Sequence, residues 1–149
     1  MKQDKSKSNP PAPQFNWATR LMFQGWLSIA VWMSVGLLLE GLLGYKIPAY
    51  LNDADRRELF RLAHTHGTFL GLVLIAAALS EKRGARFPRA ASMALSIGSA
   101  LMPLGFFLSG LWHPEGDPGP AIWIVPPSAL LIIFAAVALA LAHSEKTDV

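Results

Sequence analysis

Few side chains in this sequence could bind a metal, carry a proton or attack a substrate. Four are histidines and none is a cysteine. Thiolate nucleophiles, disulfides, zinc-thiolate centres and iron–sulfur clusters are therefore excluded, and any metal must be held by His, Asp, Glu, Met or backbone oxygens. Two histidines stand in Arg61-Leu62-Ala63-His64-Thr65-His66-Gly67-Thr68, at the mouth of an apolar run from Phe69 to Leu79. Ionisable groups at the edge of a membrane span are expensive to place, which marks them as functional candidates. A third histidine opens the turn-rich stretch His113-Pro114-Glu115-Gly116-Asp117, whose acids are metal-ligand types that also serve local backbone bonds in turns. Glu40 is the single acid of the first long apolar run. Imidazole suits both haem iron and divalent metals. The cofactor-binding set expected from sequence is thus His64, His66, His113 and Glu40, holding haem b or a divalent metal, with Asp117 joining them in the metal case. His143 has no apparent partner.

The elements that must position these residues are helices in a membrane. Of the 149 residues, 52% are hydrophobic and only 15% charged, and the apolar content is gathered in long runs. The predicted fold is an all-α integral membrane four-helix bundle with short loops. Its parts are a disordered N-terminal tail over 1–16, a four-span domain over 17–143 and a C-terminal tail over 144–149. Spans are expected at about 21–44, 62–80, 90–112 and 121–142, each long enough at about 1.5 Å per residue to cross a ~30 Å apolar core. The tail, with Lys2, Lys5, Lys7, Pro10, Pro11 and Pro13, is too polar to bury anything. The run that follows it exceeds a signal-peptide core and reads as a retained anchor.

Within the spans, spacing assigns faces. Gly36, Glu40 and Gly44 recur at i, i+4 and i+8, placing the carboxyl on a face that lets a neighbouring helix come close. Tyr45 to Asp53 reads as a loop, with Tyr45 and Tyr50 at headgroup level. Asp55-Arg56-Arg57-Glu58 fits a capping box with Asp55 as N-cap, so one helix is expected to begin there and run on through the histidines. His64 and His66 lie about 200° apart on that helix, so only one of them is expected to face the bundle interior. His64 is favoured, because it shares a stripe with Gly67, Thr68 and Gly71 against which a helix or a planar macrocycle could lie. In the third span Ser92, Ser96, Ser99, Pro103, Phe106, Ser109 and His113 form one small, mildly polar stripe of the kind used for helix packing. The fourth span has almost no polar atom beyond Ser128 and is expected to face lipid.

Basic residues predict orientation. Lys2, Lys5, Lys7, Arg20, Lys82, Arg83, Arg86, Arg89 and Lys146 fall on the side of the termini, and Lys46, Arg56, Arg57 and Arg61 on the other. By the positive-inside rule both termini are cytoplasmic and the protein is multi-pass in the inner (plasma) membrane. Glu40, His64, His66, His113, Glu115 and Asp117 then share the outer end. The expected partners are the lipid bilayer and either other membrane subunits or further copies of the chain. No compact aromatic-basic patch suggests nucleic acid.

Two resemblances bear on these residues. Arg61-x-x-His64-Thr65-His66-Gly67, opening an apolar helix, locally resembles the haem-ligand helix of haem-copper oxidase large subunits. The chain lacks the oxidase's copper-site histidines and its span count, so oxygen reduction is not implied. Over its length, through Leu39-Glu40, Ala63 to Gly67 and Gly116-Asp117-Pro118-Gly119, it is similar to small uncharacterised four-span membrane proteins of bacteria, which implies a fold and no activity. Three function classes follow: a membrane module binding haem or a metal, a structural or assembly subunit with interfacial histidines, and a proton-coupled carrier. The last is disfavoured, since neither an internal repeat nor paired broken helices are visible.

Overall fold

The computed structural model describes residues 16–85, 87–114 and 116–144, the side chains of His143 and Ser144 excepted. The predicted tails, apart from Asn16 and Ser144, and Glu115 lie outside the described residues. What is described is all-helical: α1 (Trp17–Gly44), α2 (Pro48–Leu51), α3 (Ala54–Lys82), α4 (Arg89–Leu111), a 3-10 turn (Pro120–Ile124) and α5 (Val125–Ser144). Four stretches, Trp17–Gly44, Ala54–Lys82, Arg89–Leu111 and Pro120–Ala142, are long and apolar enough to cross a membrane, the number and length of helices that suggest a multi-pass membrane protein.

Local chemistry sets the helix ends. The side chain of Asn16 accepts from the Thr19 amide at 3.2 Å and caps α1. The cap of α3 is Asp53, not Asp55: its carboxylate accepts from the Arg56 amide at 2.9 Å, so the helix starts at Ala54. Asp55 falls in the first turn, where it complements the helix dipole. Glu58 does not close a capping box and instead approaches Arg61 at 3.8 Å. Pro126 and Pro127 occupy the first turn of α5, where a missing N–H leaves no intrahelical bond unmade.

Between α1 and α3 the chain is not all loop. Pro48 opens the single turn of α2, which folds Tyr50 inward until it is 5% exposed against Leu39 and Phe60, while Tyr45 stays 85% exposed. Only Tyr45 is therefore free to sit at a headgroup level. The Tyr50 ring closes a small distal core to which Val35, Leu42 and Phe107 also contribute.

The helices pack in chain order, α1 on α3, α3 on α4 and α4 on α5, with α1 touching α4 lightly and not meeting α5. Neighbours are antiparallel, since Gly25 meets Gly71 while Gly36 meets His64, and Gly110 meets Phe60. The main core joins Leu21, Leu74, Ala77, Ala78, Ala94, Leu95 and Ala135 from all four long helices. α3 and α4 are thus the inner pair. α1 and α5 leave large apolar side chains such as Phe23, Trp26, Leu37, Leu130 and Leu141 exposed, as lipid-facing helices do.

Candidate functional site

The contact between α1 and α3 is built on missing side chains. At Gly25 a Cβ would come within 2.7 Å of the Gly71 carbonyl, so the two backbones run almost against each other there. One turn further along α1, Ser28 Oγ donates to the Gly67 carbonyl at 2.9 Å. The Trp32 ring then lies in the space that a side chain at Gly67 would fill, and the His64 ring lies over Gly36. Of the stripe predicted at Gly36, Glu40 and Gly44, only Gly36 is packed against α3: Glu40 is exposed, and a Cβ at Gly44 would meet nothing within 4 Å.

His64 is half-buried, with Nδ1 2.7 Å from the Trp32 carbonyl oxygen. A carbonyl only accepts, so Nδ1 must carry the hydrogen, and in the neutral ring the lone pair is on Nε2. No described residue hydrogen-bonds Nε2. The ring lines a cleft of about 650 Å³ between α1 and α3, walled by Met33, Leu37, Leu39 and Leu43 and edged by Glu40, Tyr50, Arg57, Arg61 and Thr65. His64 and Glu40, two of the predicted residues, are thereby brought to one site.

The other predicted residues are placed elsewhere. His66 is also half-buried, with Nδ1 2.8 Å from the Leu62 carbonyl of its own helix and its ring 5.1 Å from that of Phe106 on α4. The expectation that only one of the two histidines faces inward is corrected: α3 is packed by α1 on one side and α4 on the other, so opposite faces are both interior. His113, its side chain only 5% exposed, lies with Nε2 3.1 Å from Asp53 Oδ2 and Nδ1 2.9 Å from the Pro114 carbonyl. Asp117 is exposed in the following turn. Neither His113 nor Asp117 lines the His64 cleft. Among the described residues no three His, Asp or Glu side chains converge as a metal site.

Asp53 links the distal loops. Besides capping α3 it approaches Arg56 Nε at 3.5 Å, and Arg56 Nε donates to the Gly110 carbonyl at 3.2 Å. Burial pushes the Asp53 carboxyl up, but the Arg56 amide and the charges of His113 and Arg56 outweigh it and hold the group below its usual 3.8.

Some residues that join the helices or line the cleft escaped the sequence reading. Gln24 on α1 donates from Nε2 to the Ser96 carbonyl at 2.7 Å and accepts from Ser96 Oγ, a two-way link to α4. Its signal in sequence is a lone amide inside an apolar run. The serine stripe of α4 is buried at Ser92, Ser96, Ser99 and Ser109, as helix packing requires. Arg57 and Arg61 read as topology-setting charges, yet both line the His64 cleft. The chain matches no protein-family model, no curated protein and no solved structure.

Proposed function

We propose that this multi-pass membrane protein is a binding module for a haem-type cofactor, with His64 as the ligating imidazole. One observation carries the reading: Nδ1 of His64 is committed to a backbone carbonyl while Nε2 is unpartnered at a cleft. Ligating histidines are almost always oriented in that way, by a hydrogen bond from the other ring nitrogen. Glycine at 36 leaves the ring its place, and helix α1 fixes its direction through the Trp32 carbonyl.

Haem is favoured over a divalent metal by ligand count. A protein-held divalent ion needs about three or four side-chain ligands, whereas haem iron needs only one or two from the protein. The cleft supplies one imidazole, one carboxylate and apolar walls, within the ~300–1,000 Å³ range of cofactor sites. When bound, haem would supply redox or gas-ligand chemistry; this chain would orient the imidazole, offer apolar walls from its leucines and hold Glu40 at the rim. The excess of basic residues on the terminal side favours a cleft that opens at the outer face of the plasma membrane, with both termini cytoplasmic.

The test is an absorption spectrum of detergent-purified protein. A Soret band is expected that His64→Ala abolishes and that His113→Ala leaves in place. Protein that takes up no haem on reconstitution refutes the reading. It would favour an assembly subunit instead, for which the unpaired outer faces of α1 and α5 are the supporting observation.

A further inference from the structure

We propose that Arg57 and Arg61 form an anion subsite at the mouth of the α1/α3 cleft, so that the ligand taken by His64 is an amphiphile bearing carboxylates along one edge. This rests on the reading of His64 as the ligating residue.

Helical register is the first observation. Arg61 and Arg57 precede His64 by three and seven residues, on the same face of α3, about one and two turns toward the distal end. The cleft they line is therefore graded along its length. Its wall deep in the span is apolar (Met33, Leu37), the imidazole stands midway, and the two guanidinium groups lie at the mouth.

Charge is the second. Arg57 is half-buried and forms no ion pair among the described residues; one of its nitrogens donates to the Leu51 carbonyl, which leaves further donors unspent. Arg61 has only Glu58 at 3.8 Å, with both side chains more than 60% exposed, a pairing too weak to hold it. Glu40 is the one acid lining the cleft and bonds to neither arginine, so the cleft holds two guanidinium groups against a single carboxyl. Two arginines with free donors beside an apolar wall fit a carboxylate-bearing amphiphile better than a neutral one, because a guanidinium pairs with a carboxylate through two parallel bonds.

The experiment compares haem with its dimethyl ester, in which both carboxylates are blocked, by titrating each into detergent-purified protein and following Soret absorbance. Wild type is expected to bind haem at least tenfold more tightly than the ester, with the haem affinity falling as salt is raised. Arg61→Gln, which disturbs only an exposed pair, should lose several-fold for haem and nothing for the ester. Arg57→Gln,Arg61→Gln should bind the two alike. Equal wild-type affinities for haem and ester, both lost in His64→Ala, would overturn the anion subsite while leaving the His64 reading intact. Binding of neither molecule, or binding that His64→Ala does not alter, would overturn both.

Discussion

Replacing Gly36 with alanine tests the α1/α3 site where its geometry is tightest. A Cβ at Gly36 would stand 2.6 Å from His64 Nδ1 and 3.0 Å from Nε2, closer than packed atoms allow. The backbone on either side is helical and held by α3, so the imidazole must move. Moving it breaks the 2.7 Å bond to the Trp32 carbonyl. Overpacking of this kind costs about 1–3 kcal/mol and the lost hydrogen bond about 1 kcal/mol. Against this, alanine is better than glycine in a helix interior by about 1 kcal/mol. The net expectation is a destabilisation of about 1–3 kcal/mol. Gly41→Ala, five residues on in the same helix, meets nothing within 4 Å and keeps the propensity gain alone, so it should be neutral or stabilising by up to about 1 kcal/mol. Thermal unfolding in detergent, followed by circular dichroism, compares the two directly. His64→Ala removes the obstructing ring, so combined with Gly36→Ala it should cost less than the sum of the single changes. If Gly36→Ala were as benign as Gly41→Ala, the ring would not be wedged on α1, and the assignment of Nε2 to the cleft would fall with it.

Other outcomes follow from the remaining contacts. Asp53→Ala should cost about 1 kcal/mol through the lost cap, while Asp53→Asn keeps the cap and loses only the charge. Because the Asp53 carboxyl is held below 3.8, its charge stabilises the fold above that pH and the contribution is lost as the pH falls through and below it. Acid unfolding profiles below about pH 4 should accordingly be steeper for the wild type than for Asp53→Asn. Gln24→Leu should cost about 0.6–1.7 kcal/mol in detergent unfolding, the scale of interhelical hydrogen bonds in membranes, and an unchanged midpoint would show that the link to Ser96 contributes nothing. Cysteines replacing Asp117 and Lys82, exposed positions at opposite ends of the helices, should be labelled by an impermeant reagent from opposite sides of the membrane. Labelling of the Lys82 position from outside intact cells would reverse the proposed orientation.

The parts of this protein legible in its sequence were those governed by one-dimensional rules. Span length, apolar runs and turn residues carry the four long helices, because a membrane leaves the backbone no alternative to internal hydrogen bonding. Helix faces were legible only as angles. The 200° between His64 and His66 excludes a shared neighbour, but it says nothing about how many neighbours the helix has. Since α3 lies between α1 and α4, both rings find an interior place, and His64 alone reaches the cleft because Gly36 is opposite it. That pairing depends on where two helices cross, and the crossing is set by Gly25 against Gly71, forty-six positions apart and silent in either segment read alone. The α3 cap failed for a related reason: Asp53 and Asp55 both fit a cap by type, and the choice fell to Asp53, whose carboxylate also meets His113 from the far end of α4. His113 is thereby drawn to Asp53 rather than to His64. A carboxylate that already caps a helix costs little more to pair with an imidazole, and that competition for His113 separates residues that depth alone had grouped together.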